Sequence, residues 1–215
     1  MRTACDVRIL VALTAMFSGC GTYTTYQTAE PLPRGTWQGA VALTTGLFLD
    51  QPSETKTPAL INELAARYGV GGDTDVGLKL FSIGSELSVR HRVIDAAWQL
   101  ALLGAIVYAR SEEQGGQTEA LLGQLRLGAA ATRRTSVRWA FSVGPLVTGS
   151  AYSFAGGGSA RGLLAGAFAN AQWTFGSLRR WHLIPELSFH ASLAGDVPVD
   201  GYVTMLGVAL ARDWR

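Results

Sequence analysis

The chain has two cysteines in 215 residues, Cys5 and Cys20, both within its first twenty positions. A structural disulfide in the body of the protein is therefore excluded, and no Cys–His spacing for a metal exists. Beyond the N-terminal region no segment holds the ~20 uninterrupted apolar residues that a membrane helix needs. Charge is scarce at 16%, the net charge is +2, and no basic tract of the kind that binds nucleic acid is present. No Lys-Ser/Thr follows Gly156-Gly157-Gly158-Ser159, so this segment is no phosphate-binding loop and reads as a flexible connection between strands. What is abundant is apolar surface, 48% of residues, and glycine, 26 residues. An apolar chain without a membrane helix points to a large soluble β core or to a transmembrane β-barrel.

The N-terminus reads as a processing signal. Arg2 and Arg8 precede a short apolar run, Ile9 to Phe17, then Ser18-Gly19 and Cys20. A basic start, an apolar run too short to span a bilayer and a small-residue cut site make a secretory signal peptide over 1–19. With Cys first after the cut, the segment resembles a bacterial lipoprotein signal. That resemblance implies acylation of the Cys20 thiol, with Cys20 as the mature N-terminus. Asp after the Cys favours inner-membrane retention in that family; Gly21 stands there instead, which fits outer-membrane delivery. An ordinary signal peptide cut nearby, leaving Cys20 a free thiol, is the alternative.

Residues 21–35 are polar, carry two prolines and have no periodicity. With Cys20 they read as an acylated residue and a flexible tether, 20–35, ahead of a domain over 36–215. From Thr36 the chain breaks into segments of period-2 alternation, each with one apolar and one polar face. Ten strands are expected, at 36–47, 58–68, 74–82, 86–94, 97–109, 118–131, 135–149, 161–175, 181–193 and 201–212. Most reach the ~9–11 residues of a tilted membrane strand. Connections alternate between tight and long, apart from the short one after the third strand, and the tight side is the periplasmic side in membrane barrels.

The aromatic residues give an independent check on this map. Trp37, Trp98, Trp139 and Trp181 open odd-numbered strands, and Trp173 and Trp214 close even-numbered ones. In an up-and-down barrel all six tryptophans then fall at the short-turn rim on the apolar face, with Tyr68 beside them, where an aromatic girdle meets the headgroups. Tyr108, Phe189 and Tyr202 fit a weaker opposite girdle, while Phe81 has inward parity and His91 and Asn62 have lipid-facing parity. On these features the chain resembles bacterial outer-membrane β-barrel proteins from Thr36 to Arg215. The resemblance implies an all-β, up-and-down antiparallel barrel in the outer membrane, anchored further at Cys20.

Parity directs Glu63, Arg67, Asp75, Lys79, Glu86, Arg90, Arg92, Arg126, Arg138 and Glu186 inward. The signs nearly balance, so they read as a paired, filled lumen or as a narrow solute path; ten strands enclose little more than side chains. His182, Glu186 and His190 recur on the inner face of the ninth strand, but four-residue steps of ~13 Å are too long for joint metal ligation. His190 and Ser192 resemble the His-x-Ser pair of outer-membrane lipid A deacylases, in which Ser attacks and His is the base. That pattern has Asn after the Ser and a Glu about a strand later; here Leu193 follows and no Glu comes after. No catalytic residue, metal or cofactor is therefore expected.

The expected function is a monomeric, non-enzymatic outer-membrane barrel lipoprotein with a structural, adhesive or small-solute role. Its partners would be outer-membrane lipid and, during biogenesis, the barrel-assembly and lipoprotein-sorting machineries, with no nucleic acid. The rivals are a barrel enzyme on lipids using His190 and Ser192, and a soluble periplasmic β-sandwich or lipid-binding lipoprotein. The first strand starts at the short-turn rim, so the map places an acylated Cys20 in the inner leaflet.

Overall fold

The protein is described by a computed structural model at residues 24–50, 56–112, 119–154, 157–176, 178, 180–195 and 201–214. Residues 1–19 and Cys20 lie outside the described residues. Ten strands follow in order: β1 (Trp37–Asp50), β2 (Lys56–Gly71), β3 (Thr74–Phe81), β4 (Gly84–Ile94), β5 (Gln99–Glu112), β6 (Glu119–Arg134), β7 (Trp139–Phe154), β8 (Ser159–Phe175), β9 (Trp181–Gly195) and β10 (Gly201–Trp214).

Every strand pairs antiparallel with its neighbours in sequence, and β1 pairs with β10 from Trp37↔Trp214 to Asp50↔Gly201, closing the barrel. Closure leaves no free sheet edge along the full-length strands, which a spanning structure in hydrocarbon requires. The expected all-β, ten-stranded barrel is the fold observed. The bounds depart most at β7, expected over 135–149 and observed at Trp139–Phe154. The Ser136 hydroxyl accepts the N–H groups of Arg138 and Trp139, so residues 135–138 form a turn.

The wall is inside out relative to a soluble protein. Leu64, Leu87, Ile106, Leu125 and Leu127 point outward and are exposed. An apolar belt of this extent requires lipid around it. Both soluble alternatives are overturned: the closed sheet is no sandwich, and a periplasmic barrel would need a polar outer face.

At the short-turn rim Trp139, Trp173, Phe175 and Trp181 stack in series at centroid separations of 6.1, 4.9 and 6.5 Å. Arg212 bridges Trp181 and Trp214 at 5.1 and 5.6 Å, Trp37 packs on Tyr68 at 4.7 Å, and Arg133 covers Trp98 at 5.8 Å. His91, on lipid-facing parity, sits at this same rim and pairs its Nδ1 with the Thr74 hydroxyl at 2.8 Å. On the other rim Phe189 stacks on Tyr202 at 5.5 Å.

Candidate functional site: a plugged lumen

The segment read as a tether is, from Thr24 to Leu32, inside the barrel, and Pro33, Arg34 and Gly35 are exposed at the short-turn rim. Thr24, Gln27, Thr28, Ala29, Leu32 and Thr36 are all buried. Polar, aperiodic sequence is what a strap needs when its partners are charged side chains around it rather than an apolar face.

The accounting of backbone groups along this strap explains its stability. The N–H groups of Thr25 and Tyr26 each donate to the Glu186 carboxylate at 2.6 Å. That of Ala29 donates to the Thr132 hydroxyl at 2.6 Å, and that of Leu32 to Asp75 at 2.9 Å. On the acceptor side, Lys79 donates to the Thr24 carbonyl at 2.8 Å, Asn170 to that of Gln27 at 2.8 Å and Arg90 to that of Thr28 at 2.9 Å. Pro31 carries no N–H, so the strap brings one donor fewer into a place with little bulk water. Its C-terminal end joins the wall through Gly35 N–H to the Gly69 carbonyl at 2.9 Å and Gly69 N–H to the Thr36 carbonyl at 3.0 Å.

Among the described residues, the buried charges are four acids, Glu63, Asp75, Glu86 and Glu186, and four bases, Arg67, Lys79, Arg90 and Arg126. They form two layers. Near the short-turn rim, Asp75 pairs with both Arg67 and Arg90. Deeper in, Lys79 lies 3.2 Å from both Glu63 and Glu86, and Arg126 lies 3.1 Å from Glu86. Glu186 is held by a different device: two successive strap N–H groups converge on it, the Thr25 hydroxyl donates at 2.9 Å and Asn170 at 3.2 Å. Convergent backbone N–H groups of this kind make an anion nest, and Tyr26 adopts the left-handed φ of 49° that aims them. Tyr26 then bonds Thr44 at 2.5 Å, directly over Gly207, where a Cβ would stand 1.8 Å from the phenol oxygen. Only glycine lets the strap approach the wall there.

Two of the ten residues assigned to the lumen are at its rim instead. Arg92 reaches Asp73 and Asp95, and Arg138 is exposed in the β6–β7 turn. Both keep inward parity at the short-turn rim: Arg92 pairs with Ala101 on β5, and the Arg138 carbonyl accepts the Thr174 N–H at 2.7 Å. Glu30, missed by the alternation because it lies on the strap, pairs with Arg134 at this rim. His182 bonds Asp213 at 3.0 Å and Thr174 at 3.0 Å, also near this rim.

The loop-side half of the lumen is mixed, with buried Gln124, Thr148, Ser150 and His190 at the level of an apolar cluster. Ile61, Phe81, Val107, Leu122, Leu164, Val203 and Met205 form one buried cluster on the loop side of the ionic layers. Between the halves, Phe168 packs with Leu103, Leu146 and the strap's Ala29. Three voids beside the strap measure about 40, 150 and 10 Å³, enough for waters, which need ~10–15 Å³ each. His190 is fully buried on the inner face, on the opposite side of the wall from bilayer lipid, and Ser192 lies beside the β8–β9 register shift at Leu163/Leu164. No group of three His, Cys, Asp or Glu able to hold a metal occurs among the described residues.

Solved structures share the fold. The outer membrane protease OmpT from Escherichia coli is 10% identical, with 87% of this chain and 100% of that chain covered at a TM-score of 0.53. An outer membrane channel from Pseudomonas putida F1 is 11% identical, with 91% and 100% covered at 0.52. Ail of Yersinia pestis, solved with a heparin analogue, is 10% identical, with 84% and 99% covered at 0.48. No protein-family model and no curated protein sequence matches the chain. One structural neighbour is a protease and another a channel, so the shared architecture establishes an outer-membrane barrel and leaves the function to the site itself.

Proposed function

We propose that this protein is a sealed, non-enzymatic outer-membrane barrel lipoprotein whose role, structural or adhesive, is carried by its membrane position and loop-side rim rather than by solute passage. The observation that supports this reading is the strap Thr24–Thr36, which engages charged groups of both lumen layers through its own backbone. Opening a path would strand Asp75, Glu186, Lys79 and Arg90 without strap partners, and uncompensated buried polar groups are costly. Processing after Gly19 and acylation of Cys20 belong to the same proposal, supported by the N-terminal sequence. A monomer surrounded by lipid, delivered by the sorting and barrel-assembly machineries, completes it.

Planar-bilayer conductance tests the seal. The intact protein is expected to give no steady ionic current. Steady ohmic current from the intact barrel would contradict the proposal.

A further inference from the structure

Arg212 is a cation on the lipid-facing side of the wall. It follows Leu206, Val208 and Leu210 on the outward parity of β10 and is exposed at the short-turn rim. Its guanidinium is held over the rings of Trp181 and Trp214, at 5.1 and 5.6 Å. A guanidinium stacked on two indoles is fixed in place, where a lone arginine would roam toward water. The acid next to it in sequence, Asp213, faces the lumen and is held there by Gln38 at 2.8 Å and His182 at 3.0 Å. Among the described residues Arg212 forms no ion pair, so its fork of N–H donors is open to an anion at headgroup depth.

Cross-strand register makes this cation the head of a trough. Arg212 pairs with Gly39, Gly39 with Ala66, Ala66 with Leu78, Leu78 with Leu87 and Leu87 with Ile106. The rows on either side are bulky where this one is small: Leu210, Val41 and Leu64 toward the bilayer, Trp214, Trp37 and Tyr68 toward the rim. A Cβ on Gly39 would stand 2.8 Å from the Trp214 ring, so glycine lets that indole lie flat on the wall beside Arg212. The row also descends. Arg212 lies two residues from the end of β10 and Gly39 two from the start of β1, whereas Leu78 lies four into β3 and Ile106 seven into β5. At ~3.4 Å per residue the row drops from the aromatic girdle into the hydrocarbon. Two open grooves follow it, one of about 540 Å³ under Arg212, Trp181 and Trp214 and one of about 780 Å³ beyond, and they share Ala66 and Leu78. Arg212 is the one charged residue among those described on their walls.

The geometry points to a binding site for one anionic diacyl phospholipid of the periplasmic leaflet, its phosphate on Arg212 and an acyl chain laid over Gly39 and Ala66 toward Leu78. The phosphate accepts from the guanidinium fork, and the Trp181 and Trp214 rings hold that fork at the headgroup level. The trough falls away from the cation as lipid tails fall away from a phosphate. Charge complementarity selects a net negative headgroup: Asp213 is turned inward, so no carboxylate stands beside Arg212 to take an ethanolamine or choline cation. Arg133 provides the contrast at the same rim. It lies over Trp98 at 5.8 Å, but the next position in its row is Phe141, so bulk stands where a trough would begin. The site rests on the barrel with its short-turn rim facing the periplasm, and is independent of whether the lumen is sealed.

The test is native mass spectrometry of the full mature protein in detergent, titrated separately with dioleoyl phosphatidylglycerol and dioleoyl phosphatidylcholine. One phosphatidylglycerol is expected to be retained per barrel, bound about tenfold more tightly than phosphatidylcholine, the size of one charge-assisted contact. Arg212→Gln is expected to erase that preference. Ala66→Leu fills the trough from its lipid-facing side and leaves the cation, so it is expected to weaken both lipids and keep the preference. Arg133→Gln is expected to change neither. Equal affinity of the intact protein for the two lipids, or an Arg133→Gln loss as large as that of Arg212→Gln, overturns the site. Unchanged binding in Ala66→Leu overturns the trough, and dimers that exclude lipid would show a second copy of the chain in its place. Any of these failures leaves the sealed lumen intact, because the conductance measurement reads it separately.

Discussion

The two halves of the lumen solve the same packing problem with opposite chemistry. The short-turn half is filled by charged side chains and by a strap of the chain's own backbone, joined by hydrogen bonds of fixed direction. The loop-side half is filled mainly by Ile61, Phe81, Leu122, Leu164 and Met205, whose contacts have no preferred direction, with Gln124 donating to Ser150 at 3.2 Å among them. The polar half specifies one arrangement, since each carboxylate has a set partner, whereas the apolar half specifies volume. Thr24, whose hydroxyl donates to Glu63 at 2.9 Å, lies in the deeper ionic layer.

The sharpest way to break this contrast is to remove a shared partner from the polar half. Asp75→Asn leaves Arg67 and Arg90 facing each other in a buried site, and is expected to cost about 3–5 kcal/mol of folding free energy in a urea titration in vesicles. Glu186→Gln keeps the volume but cannot accept all the strap's donors equally; a loss of about 1–3 kcal/mol is expected in the same titration. Gly207→Ala places a methyl where the Tyr26 phenol stands. Off-rotamer repacking of this kind costs typically ~1–3 kcal/mol, and the Tyr26 fluorescence and near-ultraviolet dichroism are expected to change with it. The smallest effect is expected in the other half: Met205→Leu, a volume-conserving swap, is expected to cost less than about 1.5 kcal/mol. A cost for Met205→Leu equal to that of Asp75→Asn would erase the distinction between the halves.

The wall was legible in the sequence because lipid-facing and inward residues alternate with a period of two, and the tryptophans marked one rim. Strand ends were less so, because alternation continues past pairing, as at Val137 and Arg138 before β7. The strap was not legible. Its contacts run to residues on seven different strands, and a segment whose partners are scattered polar groups carries no periodic signature. The inward charges were visible by parity, but Thr24–Thr36 resembles any polar linker until Glu186, Asp75 and Arg90 are seen to converge on its backbone. The faint signals were Pro31, which removes a donor to be satisfied, and the run of hydroxyls Thr24, Thr25 and Thr28.

The central claim is that residues 24–36 are part of the folded barrel. Hydrogen exchange of the intact protein in vesicles tests it without altering a residue. The amides of Thr25, Tyr26, Ala29 and Leu32 are expected to be protected as strongly as those of the flanking strands β1 and β2, persisting for hours. Exchange of these amides within seconds, as in a free linker, would contradict the account.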